Sequence, residues 1–202
     1  MKAILFICFG CLFPFSLPAQ THSPANYIKH GKLKLENEAY KGAIMEFSIS
    51  LEMEPSAEAY FLRATAKYML NDQQGALSDY DNAISLDQYN AVAYNNRGNI
   101  KDELKRTVEA IKDFDKAISI DTHYTSAYYN RAIAYFNVQG YKEAQADFGK
   151  VHQESPQDAE AMLGMALCLI KLNKNSEACA WFAKANILKP TLIEEYLKKY
   201  CQ

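Results

Sequence analysis

Three Arg–Asp couples, four histidines and five cysteines are the residues of this 202-residue chain whose types could do chemistry. Arg63, Arg97 and Arg131 recur every 34 residues, and sixteen residues after each stands an aspartate: Asp79, Asp113 and Asp147. An arginine on an otherwise apolar helix face is either an anion-binding group or part of the scaffold. His22, His30, His123 and His152 fall in four different contexts, none with a partner at metal-ligand or acid–base spacing. His123 and His152 read as solvent-facing residues near the ends of their segments. Cys8-Phe9-Gly10-Cys11 has the spacing of a redox motif, but it lies within an apolar run. The chain has no phosphate-cradling Gly-rich loop, no His-Glu-x-x-His and no strand–turn–helix frame for a nucleophilic serine. The reading is therefore of a non-enzyme with no cofactor and no metal. An enzyme whose site these patterns do not reveal is the remaining alternative.

The elements that must position these residues follow from composition and periodicity. Basic and acidic residues are nearly balanced, 22 against 24, with no basic block, which argues against a nucleic-acid footprint. Residues 1–19 read as a signal peptide: Lys2, an apolar run from Ala3 to Phe15, and Leu17-Pro18-Ala19 as a cleavage point before Gln20. The run is shorter than the roughly 20 residues of a membrane-spanning helix, and Gly10 and Pro14 interrupt it. Export to the periplasm or the exterior follows, with no stable span after cleavage; an uncleaved anchor or a lipid on Cys11 are the alternatives. Cys168, Cys179 and Cys201 remain in the mature chain. An oxidising compartment permits a disulfide, but Cys168 and Cys179 lie beside alanines and leucines and read as buried thiols.

Shifting residues 20–202 against themselves by 34 aligns whole columns. One is aromatic (Tyr60, Tyr94, Tyr128) and one is small (Gly31, Ala64, Gly98, Ala132, Ala166). A second small column (Ala43, Ala76, Ala110, Ala144, Ala178) is followed by Phe47, Tyr80, Phe114, Phe148 and Phe182. Five units result, 24–56, 57–90, 91–124, 125–158 and 159–192. Within each, apolar residues recur at three and four, and a short polar break divides two helices. Small residues let the helices of a hairpin approach, and aromatics fill the space between. Hairpins of this kind bury their faces only when stacked. A last segment, about 191–200, has the apolar spacing of a capping helix.

These columns resemble the tetratricopeptide repeat. The resemblance implies an all-α, right-handed solenoid of about five helical hairpins with a short C-terminal capping helix, acting as a scaffold for another protein or peptide. Lys34, Lys67 and Lys101 stand where that repeat usually has Tyr or Leu, and are expected to run their stems along the core and carry the charge outward. The couples Arg63–Asp79, Arg97–Asp113 and Arg131–Asp147 are expected to face each other within hairpins as structural ion pairs. The outer units support this. His30 and Glu46 stand at the same interval in the first unit, and in the fifth Met165 and Trp181 replace both charges together. The resemblance further implies a concave groove lined by first helices, with Phe61, Asn95, Asn96, Asn99, Tyr129, Asn130 and Phe136 as its peptide-binding residues. An amide carries both donor and acceptor, which suits main-chain recognition. Ile28, Phe61, Val92 and Ser126 stand where chaperone-binding members carry a carboxylate clamp, so that ligand class is not expected. A structural envelope subunit docking through its convex face or ends is the alternative within binding.

Overall fold

Five of the described helices start at a side chain that satisfies free first-turn amides, and the first helix of every hairpin ends in a sharp turn. In the computed structural model, which describes residues 22–201, the order is α1 (Pro24–Glu36), α2 (Tyr40–Met53), α3 (Ala57–Met69), α4 (Gln73–Leu86), α5 (Ala91–Glu103), α6 (Thr107–Ile120), α7 (Thr125–Asn137), α8 (Tyr141–Glu154), α9 (Ala159–Lys171), α10 (Asn175–Leu188) and α11 (Pro190–Tyr200). Ser23, Ser56, Asp72, Asn90 and Asp158 cap the helices that follow them by accepting from first-turn N–H groups. The described residues contain no strand. The proposed leader, its cleavage point and the Cys8–Cys11 stretch lie outside them.

Every break inside a hairpin is built the same way. Glu38, Asn71, Lys105, Gln139 and Asn173 take φ of 58°, 62°, 64°, 64° and 59°, and none of them is glycine. The N–H of the next residue reaches back five positions, for example Arg106 to the Lys101 carbonyl at 2.8 Å and Gly140 to Tyr135 at 2.8 Å. The left-handed residue itself donates three positions back, as Lys105 does to Asp102 at 2.9 Å. This is the Schellman closure, which uses up the last carbonyls of the first helix. Its regularity keeps the crossing geometry alike from hairpin to hairpin.

Packing follows the columns. Phe47, Tyr80, Phe114, Phe148 and Phe182 are each at most 2 % exposed. Burying a side chain of that size contributes about 1.5–3 kcal/mol. The small column faces these rings: a methyl added to Gly98 would meet Phe114 Cε1 at 2.6 Å. Successive hairpins pack α2 on α3, α4 on α5, α6 on α7 and α8 on α9. The odd-numbered helices also touch one another, α1 with α3, α5 with α7 and α7 with α9, which marks their side as the inner, concave one. No described helix is long and apolar enough to cross a membrane.

The C-terminal end departs from the expected buried thiols. Helix α11 folds back on α10, burying Ile193 and stacking Tyr196 and Tyr200 on Phe182 at 5.6 and 6.2 Å. That return brings Cys201 to a Cα–Cα distance of 5.6 Å from Cys179, and the two form a disulfide. Cys179 is therefore not a thiol. Cys168 is a free, fully buried cysteine whose thiol is pushed up to about 12 by burial.

Candidate functional site: the concave face

The arginine columns have their charges satisfied within the stack. Arg63 grips Asp79 with Nε and Nη2, both at 2.8 Å; Arg97 grips Asp113 at 2.9 and 2.6 Å, and Arg131 grips Asp147 at 2.7 and 2.7 Å. The three aspartates are 2 %, 5 % and 5 % exposed. The remaining Nη1 reaches the preceding hairpin: Arg63 to Ser48 Oγ at 3.0 Å, Arg97 to Asp81 at 2.7 Å and Arg131 to Asp115 at 2.6 Å. Each guanidinium also lies over the ring of Tyr60, Tyr94 or Tyr128, 5.3–5.6 Å from its centroid. Burial opposes the charge on Arg97 and Arg131, but their aspartates outweigh it and hold both groups above the usual arginine value. With fork, edge and face all engaged, these arginines tie three helices together and present nothing to a ligand.

The lysine column does not carry its charge outward. Lys67 and Lys101 join the same acids, Asp79 and Asp113, at 2.7 Å each, and Lys34 bonds Glu46. Glu46 thus takes Lys34 as its partner, while His30, sixteen residues away, is exposed. A carboxylate buried between helices attracts both cations that can reach it, which overrides the outward route. In the fourth hairpin Tyr135 replaces the lysine, and Arg131 sits 5.8 Å from its ring centroid. In the fifth, Met165, Leu169 and Trp181 make the whole position apolar. His152 is also displaced from expectation: it is partly buried, edge-on to Trp181 at 5.1 Å, with Nδ1 unpartnered. His123 stays exposed beside Glu154.

On the concave face, amides on α5 and α7 join a chain of hydrogen bonds across three hairpins. Asn130 Nδ2 donates to Asn95 Oδ1 at 2.9 Å, and Asn95 Nδ2 to Asn96 Oδ1 at 3.4 Å. Asn96 Nδ2 donates to the Tyr80 hydroxyl at 3.3 Å, which lies 3.1 Å from Thr65 Oγ1. Thr65 in turn donates to the Phe61 carbonyl at 3.0 Å. Burial raises the Tyr80 phenol above its ordinary value, so it remains a hydroxyl at neutral pH. The chain fixes the asparagine rotamers; Asn95 is buried at 4 % exposure, while Asn96, Asn99 and Asn130 are partly exposed.

Five of the seven proposed groove residues meet here. Asn95, Asn96, Asn99, Tyr129 and Asn130 line one open cleft of about 540 Å³ between α5, α7 and α9. Phe61 instead packs edge-on against Tyr80 at 5.7 Å, and Phe136 against Tyr141 at 5.2 Å, and neither lines that cleft. The cleft also has Tyr124, Ser126, Asp158 and Glu160 in its wall; of these the sequence reading named only Ser126, as a vacant clamp position. The signal was the column Glu58, Val92, Ser126, Glu160, where an acid recurs in the second and fifth units. Asn99 and Asn130 also line a second cleft of about 250 Å³ with Tyr68, Asp102 and Glu103. Among the described residues no group of three or more His, Cys, Asp or Glu could hold a metal ion.

Comparison with known proteins agrees with the fold. Tetratricopeptide-repeat family models match residues 91–124 and 139–196. No curated protein matches the sequence. Among solved structures, a MamA protein is 22% identical with a TM-score of 0.76, covering 88% of this chain and 94% of its own. YrrB, described as a tetratricopeptide-repeat protein with an unusual peptide-binding site, is 18% identical with a TM-score of 0.77, covering 86% and 90%. PilF of Pseudomonas aeruginosa is 23% identical with a TM-score of 0.70, covering 80% and 74%. The chain contains tetratricopeptide repeats and has the fold of their solenoids.

Proposed function

We propose that this chain is an exported, non-catalytic scaffold that holds an extended segment of a protein partner across α5, α7 and α9. The observation that carries the reading is the cleft of about 540 Å³ whose floor is a row of asparagine amides, flanked by Tyr124 and Tyr129. Amides held by their own neighbours can exchange donor and acceptor with a peptide main chain whatever its side chains. The phenol rings offer apolar area with little rotamer entropy to lose. The peptide-binding site named for YrrB lies on a solenoid of the same fold, which is an analogy of fold alone. Export is supported by the composition of residues 1–19 and by the Cys179–Cys201 bridge, a bond that persists in oxidising compartments.

Photo-crosslinking tests the groove. A benzophenone side chain replacing Ser126 in the cleft is expected to capture a partner in cells, whereas one replacing Ile187, 81 % exposed on α10, is not. Capture from Ile187 alone would move the interface to the outer face. Export is tested by the intact mass of the product, which is expected to begin at Gln20.

A further inference from the structure

The two clefts that share Asn99 and Asn130 form one trough, and its charges are of one sign. Asp158 and Glu160 stand in one part of its wall, Asp102 and Glu103 in the other, and no Lys, Arg or His lines either. The chain as a whole carries 22 basic residues against 24 acidic, so this is a local asymmetry. The arginines of α3, α5 and α7 are spent between helices on Asp79, Asp113 and Asp147.

The trough's carboxylates are held in place chiefly by neutral donors, which orient a charge without cancelling it. Glu103 accepts from the Tyr68 hydroxyl and from Gln73 Nε2 at 2.7 Å. Asp102 accepts from Thr107 Oγ1 at 2.7 Å, and Asp158 from the N–H groups of Glu160 and Ala161. Glu160 has one cation, Lys189, at 2.7 Å from Oε1, while Oε2 faces the Tyr129 hydroxyl at 3.4 Å. Four fixed carboxylates against one rim lysine leave the trough negative, and the concave walls concentrate that field.

Resting on the groove reading above, we infer that the partner segment is basic: lysine or arginine side chains flank a stretch whose main chain is read by the asparagines. Glu103 and Glu160 pair with those cations from opposite parts of the trough, and Tyr124 and Tyr129 give their aliphatic stems and charged heads an aromatic wall. An acidic segment meets four carboxylates and no lining cation, and is excluded.

Selection from a random twelve-residue display library on the oxidised mature chain tests this. Enriched peptides are expected to be rich in Lys and Arg and poor in Asp and Glu. One of them, made synthetically, is expected to bind about three- to tenfold more weakly to Glu103→Gln with Glu160→Gln at 0.15 M salt. The control Glu143→Gln with Glu177→Gln makes the same change in net charge at exposed sites on α8 and α10, and is expected to leave binding unchanged. Peptides with no charge bias, acidic peptides, or basic peptides that both double variants weaken equally overturn the inference. If unbiased peptides lose binding to Asn96→Ala with Asn130→Ala, the groove reading stands and only the basic preference falls. If that asparagine variant binds the enriched peptides normally, or if nothing is enriched, the groove reading falls as well.

Discussion

At Asp113 a carboxylate that is 5 % exposed receives Arg97 through two bonds and Lys101 through a third. Removing it leaves Lys101 without its acid and Arg97 with the exposed Asp81 alone, and an uncompensated buried charge costs about 3–5 kcal/mol. Asp113→Ala is therefore expected to lower the urea midpoint sharply. Arg97→Met with Lys101→Leu in the same background, copying Met165 and Leu169 of the fifth hairpin, is expected to recover part of the loss. A double-mutant cycle between Arg97 and Asp113 with no coupling energy would contradict the scaffold role. The sixteen-residue interval was legible because it repeats and because both charges vanish together in the fifth unit. The lysine's share was not legible, since its column, considered alone, names no partner. Two cations converge on one acid only once the hairpin places α5 four residues further along against α6.

The hairpin turn carries strain of a correctable kind. Lys105 sits at φ 64°, where an L side chain costs about 1–2 kcal/mol and glycine costs little. Lys105→Gly is expected to raise stability by about 0.5–1 kcal/mol, after glycine's larger unfolded-state entropy is set against the relief of strain. A thermal melt reads it, and a lower midpoint would contradict the turn geometry. The terminal element is held differently. The Cys179–Cys201 bridge spans 22 residues, and closing a loop of that size contributes about 3 kcal/mol in the chain-entropy account. Because solenoid stability is nearest-neighbour, Cys201→Ser is expected to loosen α10 and α11 first. Hydrogen exchange is then expected to quicken in 175–200 while α4 to α6 keep their protection. Helix positions were readable from apolar spacing and polar breaks. The left-handed turn residues were readable only in part: Asn71 and Asn173 are of a type that tolerates that region, but Glu38, Lys105 and Gln139 give no sign of it. Nor was the bridge, because Cys201 falls after the last repeat and meets Cys179 only through the return of α11.

As a whole the chain places the arginines of α3, α5 and α7 between helices, and lines the inner face from α5 to α9 with asparagine amides and four carboxylates. Five groove residues converged as the repeat alignment indicated, because equivalent positions on neighbouring first helices lie side by side. Phe61 and Phe136 did not, since each ring found an aromatic partner, Tyr80 and Tyr141, within its own hairpin. The charged wall escaped notice because Asp102 and Glu103 have no acid at the equivalent places of the neighbouring units, and Glu160 recurs only as Glu58, with Val92 and Ser126 between them. The central claim is that the asparagine row holds a peptide main chain, and titration calorimetry tests it most directly. A display-selected peptide is titrated into the oxidised protein, residues 20–202, and into Asn96→Ala with Asn130→Ala. Each lost hydrogen bond to the peptide costs about 0.5–1.5 kcal/mol, so the variant is expected to bind about tenfold more weakly. Its own lost bonds to Tyr80 and Asn95 are expected to lower the melting temperature by only a few degrees. Unchanged affinity in a variant that remains folded would contradict the account and place the partner outside the groove.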